Sequence, residues 1–413
     1  GWLLGVVAIA ALLSMNVHVS LLLWRVKMRF LGARTYTDLV EAAFAGAPPW
    51  QRRAARSLTY GSQQAFIFAL LGVYLLTVGK GLGMMNFDVH VCLPQWVFVG
   101  VCLLAPFFLT ARRMGTWQCL VWVNILSLMG TIFIPVAYLV SAGGDGVRPE
   151  GSVVHAVAPL TLPRVFQGLS IFTFAFTSQF MLVEIIDEME DPAELPKAYV
   201  QLSAPFQGMA FVFAGLVGYC YIGDQVEGMI SDDLPFGLAF RICSFCLVTH
   251  MAISYVIKNV VLCREVHRSV DPDHVDDTSW RSWIVWYAVT LSVAALAYVL
   301  ANIVPFFEDA VDLLGASVTP AACFLLPIAA FLRSFVDGGK DGLRIGKLEA
   351  AAILLEVLLA VAITLYGTFD AVRNIIAKWE AYGYPFECHC HGLWSTCGCS
   401  ASHLGMEHCA ALA

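Results

Sequence analysis

The chain has 413 residues, of which 59% are hydrophobic and only 13% are charged, whereas a soluble domain carries about 25% charged residues. The net charge of −7 says little about partners, because the distribution of Lys and Arg matters more than their sum. These residues are scattered over short loops, without a basic patch interleaved with aromatics, so nothing suggests nucleic-acid binding. Apolar runs recur along the chain, and a run of about 20 residues is long enough to cross a bilayer. The composition therefore indicates an all-α polytopic membrane protein.

The first apolar run begins at residue 1 and extends to Trp24. It is too long for a signal peptide, and basic residues rather than a small-residue cleavage site follow it. Because the chain begins with Gly1 and not with methionine, we expect it to be truncated at its N-terminus. A short interfacial helix is predicted over residues 32–45, where Thr35 and Asp38 resemble a capping box.

Ten membrane spans are predicted in chain order. They cover residues 2–24, 60–82, 95–111, 117–140, 163–186, 199–222, 236–262, 282–304, 312–333 and 348–368. Alternating these spans places 18 of the 24 Lys and Arg residues on one side of the membrane. Cytosolic loops carry the excess of basic residues. Both ends of the chain are therefore predicted on the other side, which we call the outer side.

Polar side chains at membrane depth are costly unless they face protein or water, so each is a functional candidate. Asn16, Asn124, Asn302 and His18 have a second interpretation, in which they form hydrogen bonds between neighbouring helices. His250 is a candidate proton or ion site, or a packing histidine. Glu356 is interpreted as pairing with another helix or as an oligomer contact, and is not assigned to ion coupling. The side chains considered are Asn16, His18, Asn124, His250, Asn302 and Glu356.

The fifth span mixes small and hydroxylated residues with aromatics over residues 166–180. These polar residues do not lie on one stripe, as they would on a helix that packs by a single face. Polar groups clustered around one point favour a helix that breaks inside the membrane, because the freed backbone groups must line a cavity. Broken helices hold substrates and ions in secondary transporters. An unbroken helix with back-bonded Ser and Thr is the alternative.

Four stretches carry a resemblance to a known family. They read GARTYTDLVEAAFAG, TVGKGL, FAFTSQFMLVEIIDEMEDPAELPKA and IVPFFEDAVDLLGASVTPAACFLLPIAAFL. In order and spacing they resemble the amino acid/auxin permeases, the eukaryotic transmembrane amino acid transporters, from residue 1 to about 370. The resemblance implies a leucine-transporter-type bundle of two inverted five-helix repeats plus one helix. The ten spans then correspond to the family's second to eleventh helices, with the first one missing.

The resemblance also implies a site around the break in the fifth span. The expected unwound segment runs from Phe174 to Gln179, and Tyr74 is expected to close the pocket. Gln179 lies in a stretch where many plant members carry a histidine, and an amide cannot take up a proton as a histidine does. The substrate-binding candidates are Thr173, Phe174, Ala175, Phe176, Thr177, Ser178, Gln179 and Tyr74. The ion-coupling candidates are His250, Thr249 and Ser254, and the gate candidates are Glu184 and Asp187.

The resulting hypothesis is secondary active transport of amino acids by alternating access, with protons favoured over sodium as the coupling ion. The alternatives are a permease-like amino acid sensor and an inactive truncated fragment. No enzyme motif occurs in a fitting context, so no enzymatic activity, cofactor or metal is expected. The expected partners are a small amino acid and the lipid bilayer. The pattern indicates the plasma membrane or a vacuole- or lysosome-type endomembrane, and leaves the amino acid and the oligomeric state open.

The last part of the chain, 371–413, is predicted to be a separate Cys/His-rich tail after a transmembrane domain over 1–370. Its cysteines and histidines have soft-metal chemistry, but their spacing is not that of a zinc finger. Disulfides are an alternative on an oxidising side of the membrane. We expect a disordered extension. The residues concerned are Cys388, His389, Cys390, His391, Cys397, Cys399, His403, His408 and Cys409.

Overall fold

The computed structural model describes residues 1–87, 89, 91–113, 120–143, 148–335, 345–382 and 384–387. Over these ranges the chain forms helices joined by turns, and no β-strand occurs within them. Ten of the described segments are long and apolar enough to cross a membrane. The prediction of an all-α, multi-pass membrane protein is confirmed.

We number the spans in chain order. Spans 1 to 10 cover Trp2–Arg29, Pro49–Met85, Leu93–Thr110, Leu120–Ala142, Leu162–Asp187, Pro192–Ile222, Leu238–Val270, Trp280–Ile303, Phe307–Phe335 and Lys347–Glu380. Several spans are longer than predicted, because a helix continues past the apolar segment into polar residues once its backbone hydrogen bonds are started. The largest extensions are at the start of span 2 and at the end of span 10, which continues as a helix to Tyr382.

The helix continues past the predicted domain boundary at residue 370, since Thr368–Tyr382 is one continuous helical segment. The predicted tail over 371–413 therefore begins within this helix, and the division into two domains stays a prediction. The tail's metal-binding, disulfide and disorder predictions concern Cys388 to Cys409, which lie outside the described residues.

The predicted interfacial helix is present at Tyr36–Ala43. Its capping box is complete: the Asp38 amide donates to the Thr35 hydroxyl at 3.1 Å, and the Thr35 amide donates to the Asp38 carboxylate at 3.2 Å. These two bonds satisfy amides that a helix start otherwise leaves without partners.

Four spans depart from regular α-helix. Span 5 is interrupted between Leu162–Phe176 (span 5a) and Gln179–Asp187 (span 5b). Single π-helical turns occur in spans 6, 9 and 10, at Tyr199–Ser203, Ala321–Leu325 and Ile363–Gly367. Such turns often mark functional positions, because each one re-aims the side chains that follow it.

The described residues form two compact units. Unit 1 comprises Gly1–Phe66, His155–Leu216 and Val311–Arg373, and therefore contains spans 1, 5 and most of spans 6, 9 and 10. Unit 2 comprises the described residues within Ile67–Val154, Val217–Ala310 and Asn374–Ala413. The interrupted helix and everything described around it belong to unit 1.

Candidate functional site

The break in span 5 is only two residues wide. Thr177 adopts an extended backbone (φ −65°, ψ 119°) and Ser178 follows at φ −135°, ψ −15°, so neither residue continues the helix. The Thr177 amide reaches back to the Phe174 carbonyl at 3.2 Å, which tightens the last turn of span 5a. The interruption is confirmed, but the expected unwinding of Phe174 to Gln179 is corrected to Thr177 and Ser178.

Asn16 of span 1 supplies the main partner of the broken helix. Its side-chain amide donates to the Phe176 carbonyl, which the break leaves without an intrahelical partner. In turn, the Gln179 amide donates to the Asn16 side-chain oxygen and, at 3.1 Å, to the Ser20 hydroxyl. Asn16, Ser20 and Gln179 are fully buried. At this depth no water replaces a lost partner, so the asparagine fixes the geometry of the break.

Tyr199 extends this network from span 6. Its hydroxyl lies 3.3 Å from the Asn16 side-chain oxygen and 3.2 Å from the Ser178 hydroxyl. Tyr199 is the first residue of the π-helical turn in that span. Amide and hydroxyl groups from three spans therefore converge on Thr177 and Ser178, and none of these side chains carries a charge.

Aromatic rings flank the break. The ring of Phe176 packs edge-on against Phe211 with centroids 5.2 Å apart, and Phe66 lies 6.2 Å from Phe174 and 4.6 Å from Phe180. Phe174, like Ala175, Thr177 and Ser178, is only half-buried. Polar backbone groups between aromatic walls are typical of a small-molecule site.

Thr173 stands out among the predicted site residues. Its hydroxyl is buried and has no hydrogen-bond partner among the described residues. One turn later, the Thr177 hydroxyl donates to the Thr173 carbonyl at 2.6 Å. A buried hydroxyl without a partner is costly, so Thr173 is a candidate donor to a bound substrate.

Two glycines let spans 9 and 10 approach span 5a. A Cβ at Gly315 would overlap the Ser170 carbonyl oxygen and lie 2.6 Å from the carbonyl carbon of the same residue. A Cβ at Gly367 would lie 2.9 Å from the Ser170 hydroxyl. The position of span 5a therefore depends on the absence of side chains at these two places.

Ion pairing is concentrated at the cytosolic end of unit 1. The ammonium of Lys27, 1% exposed, contacts the Asp187 carboxylate at 2.8 Å and the Ala33 carbonyl at 2.5 Å. Lys27 lies beyond the predicted end of span 1 at residue 24, but it belongs to the last turn of that helix. This ion pair holds the C-terminal end of span 1 against the C-terminal end of span 5b.

The second gate candidate, Glu184, accepts two hydrogen bonds. They come from the Tyr36 amide at 3.0 Å and from the Gln63 side chain at 3.2 Å. Gln63 also donates to the Phe180 carbonyl at 2.6 Å. Span 5b is therefore bound to the interfacial helix, to span 2 and to span 1, and each contact must break if this end of the helix moves.

The remaining predicted site residues lie in unit 2. Tyr74 is half-buried in span 2. In span 7, the Thr249 hydroxyl donates to the Phe245 carbonyl of its own helix at 2.8 Å, and His250 Nδ1 lies 3.4 Å from the Asn124 carbonyl. Ser254 is half-buried in the same span. Their roles in closing the pocket and in ion coupling stay predictions.

The outer side of unit 2 carries a cluster of charges. Lys80 pairs with Asp232, and Lys378 pairs with Asp309 at 2.5 Å. These four residues line a small cavity together with Glu227, Glu308 and neighbouring apolar side chains. The acidic outer loop over residues 224–233 thus places one of its carboxylates, that of Asp232, in an ion pair with Lys80.

Asp233 of this loop predicts a pH dependence of stability. Burial, aided by the neighbouring Glu227 and Asp232 carboxylates, raises the pKa of Asp233 from 3.8 to about 7. The folded state therefore binds this proton more tightly than the unfolded state. The resulting stabilisation is complete below about pH 4 and is lost as the pH rises through 7. We expect Asp233→Asn to raise the melting temperature at pH 8 relative to the parent.

Thermal melts of the purified protein in detergent at pH 5 and pH 8 measure this effect. An asparagine still accepts the bond from the Glu227 amide, 3.2 Å away in the parent. Asp224→Asn, in the same loop, controls for the loss of one negative charge. An equal benefit of Asp233→Asn at both pH values contradicts the prediction.

Sequence reasoning missed several residues of the site. Asn16 was considered as a functional candidate or a helix-packing residue but was not placed in the predicted site, and Ser20, Gln63 and Tyr199 were not considered. An asparagine in the middle of a span, opposite an expected break, was the available signal for Asn16. Nothing in the local sequence distinguishes Tyr199 or Gln63 from other polar residues near span ends.

Comparison with known proteins places these features in context. A family model described as "Transmembrane amino acid transporter protein" matches residues 1–369. The chain is 23% identical to the N amino acid transport system protein of Neurospora crassa over 288 residues, which cover 64% of this chain and 59% of that protein. It is also 23% identical to amino acid transporter AVT3B of Arabidopsis thaliana over 92% of this chain and 88% of the relative. With AVT3A of the same plant, identity is 26% over 52% of this chain and 48% of the relative.

Proposed function

Since the chain belongs to the transmembrane amino acid transporter family, we propose that it carries out secondary active transport of amino acids, coupled to protons, by alternating access. Family membership makes it a multi-pass membrane protein and not an enzyme, as the sequence predicted. The matched segment spans 59% of the Neurospora relative. The substrate, the coupling ion and the activity of the whole protein are therefore part of the proposal.

The two-residue break in span 5 is the observation that carries this proposal. Freed backbone groups at membrane depth cost several kcal/mol each unless protein or ligand satisfies them. Asn16 satisfies the Phe176 carbonyl, whereas the Thr173 hydroxyl has no partner among the described residues. We infer that the substrate binds at this break, with its carboxylate at the first amides of span 5b, where the helix dipole favours an anion.

The chemistry of the break favours a neutral amino acid. The side chains that converge there are amides, hydroxyls and aromatic rings. A cationic or anionic substrate side chain buried among them would lack a counter-charge, which is strongly unfavourable at this depth. Phe174 and Phe176 are assigned to the apolar part of the pocket and Ser178 to the polar part.

Lys27, Asp187 and Glu184 are assigned to the inner gate. Their contacts hold the cytosolic end of span 5b against span 1 and the interfacial helix. Opening towards the cytosol requires these bonds to break, so a ligand that binds the open form more tightly shifts the equilibrium towards it. The break at Thr177 and Ser178 lets span 5b move while span 5a stays in place.

Uptake of labelled neutral amino acids into proteoliposomes that contain the purified protein tests the proposal. The double variant Phe176→Ala/Ser178→Ala is expected to reduce uptake at least about tenfold, because it removes a pocket wall and a polar contact. Ser141→Ala/Phe133→Ala, on the exposed side of span 4, is the matched control and should transport normally. Unchanged uptake by the first variant would refute the site, and binding without uptake would indicate a sensor.

A further inference from the structure

Spans 1 and 10 are joined by two charged pairs at the same spacing. His18 Nδ1 lies 2.7 Å from a carboxylate oxygen of Glu356, and Arg25 pairs with Glu349 at 2.5 Å. On span 1 the second pair lies seven residues after the first, and on span 10 it lies seven residues before. The two helices therefore run antiparallel, with the pairs two turns, or about 10 Å, apart.

The two pairs differ in depth. Arg25 and Glu349 lie near the cytosolic ends of their helices, where water and lipid headgroups stabilise charge. His18 and Glu356 lie within the apolar parts of both spans. The Glu356 side chain is 7% exposed, and its second carboxylate oxygen is buried without a partner among the described residues. Ionisable side chains within the apolar part of a span are rare and mark ion pathways and proton relays, so the placement of this pair makes it a candidate proton site.

The pair is also connected to the broken helix through both of its spans. Two residues before His18 on span 1, Asn16 holds the Phe176 carbonyl at the break. Seven residues after Glu356 on span 10, a π-helical turn begins, and its Tyr366 ring lies 4.7 Å from Phe166 of span 5a. A change in the spacing of spans 1 and 10 would therefore act on the Asn16 contact at the break and on the first half of span 5a.

We propose that His18 and Glu356 form the site that binds the coupling proton. This inference rests on the proposed transport function. The proton site is separate from the proposed substrate site, which stays at the break in span 5 beside Asn16. With a neutral imidazole and an ionised carboxylate the pair has a charge of −1, and one added proton makes it neutral. The neutral form can sit in an apolar environment, so protonation and movement of spans 1 and 10 are coupled.

The other charged groups on the helices packed around the pair have contacts of their own. Lys27 pairs with Asp187, Glu184 accepts from Tyr36 and Gln63, and Asp370 pairs with Arg373. Arg164, Arg333 and Lys347 lie near helix ends. The titratable and charged groups to consider on these elements are Arg25, Lys27, Arg29, Arg164, Glu184, Asp187, Arg333, Lys347, Glu349, Asp370 and Arg373.

Glu356→Gln provides the test, because glutamine mimics the neutral carboxyl group and cannot exchange a proton. Two quantities are measured in proteoliposomes: exchange of labelled for unlabelled amino acid without a gradient, and accumulation driven by an imposed pH gradient. We expect Glu356→Gln to exchange amino acids at a rate within about threefold of the parent. We expect its gradient-driven accumulation to be at least tenfold lower than that of the parent. Arg25→Gln, which breaks the neighbouring pair on the same helices, should retain both.

The outcomes distinguish the proton site at His18 and Glu356 from the transport function itself. Gradient-driven accumulation that survives Glu356→Gln overturns the inference, as does a parent protein that exchanges amino acids without any response to the pH gradient. A parent protein without exchange of any amino acid refutes the transport function itself. If Glu356→Gln abolishes both activities, the swapped variant His18→Glu/Glu356→His decides: restored gradient-driven accumulation supports the proton site, and its continued loss contradicts it.

Discussion

Replacing Asn16 with leucine is expected to abolish most amino acid uptake. The substitution removes the donor to the Phe176 carbonyl and the acceptor for the Gln179 amide, both in a fully buried position. The Gln179 amide keeps the Ser20 hydroxyl as a partner, so the Phe176 carbonyl is the group left without one, at a cost of about 1–3 kcal/mol. This cost corresponds to a decrease in uptake of roughly 5-fold to 150-fold. Uptake into proteoliposomes, normalised to folded protein by size-exclusion chromatography, measures the effect.

Ser14→Ala is the matched control for Asn16→Leu. Ser14 lies two residues earlier on the same span, and its hydroxyl donates to the Ala10 carbonyl of its own helix at 2.7 Å. Its removal leaves the break in span 5 untouched, so uptake should stay within about twofold of the parent. If Asn16→Leu transports as well as Ser14→Ala, the asparagine does not hold the break and the site must be reassigned.

Gly315→Ala is expected to destabilise unit 1 and to impair transport. The added methyl group would overlap the Ser170 carbonyl oxygen and come within 3.1 Å of the Phe174 Cβ. Because the obstacle is backbone and not the end of a flexible side chain, span 5a must shift. Overpacking of this kind costs about 1–3 kcal/mol. We expect a clear drop in melting temperature together with at least a fivefold loss of uptake.

Gly168→Ala tests whether that effect is specific to the close approach. Gly168 lies in span 5a, two residues before Ser170, and a Cβ there meets nothing within 4 Å. Alanine is favoured over glycine inside a helix by about 1 kcal/mol, so this variant should melt at the same temperature as the parent or higher. A similar loss of stability in both variants would show that span 5a tolerates no added methyl group anywhere.

Identifying His18 and Glu356 as a pair changes the interpretation of two residues. From the sequence, His18 was a functional candidate or a packing residue, and Glu356 was a partner for another helix or an oligomer contact and was not assigned to coupling. The structure supplies that other helix, and it is span 1 of the same chain. His250 was one of three ion-coupling candidates from the sequence, with Thr249 and Ser254, and its partner is the Asn124 carbonyl. Comparing Glu356→Gln with His250→Gln in the same gradient experiment would separate the two candidates.

The sequence by itself determined the local features of this protein. Ten apolar stretches specify ten spans, since the cost of exposing polar backbone to lipid leaves helix as the remaining conformation. Thr35 and Asp38 specify the start of the interfacial helix, because both bonds of a capping box form within four residues. The polar residues clustered in span 5 predicted its interruption, because backbone groups freed inside the membrane need polar surroundings. Each of these features depends on residues that are close together in the chain.

Only the tertiary structure decided which distant groups meet. Asn16 and Phe176 are 160 residues apart, and His18 and Glu356 are 338 residues apart. No local preference encodes such pairings, because they depend on how whole helices pack and on which glycine allows a close approach, as Gly315 does at Ser170. The width of the break in span 5, only two residues, also depends on a contact with another helix. Asn16 of another helix satisfies the Phe176 carbonyl, and so residues up to Phe176 remain helical.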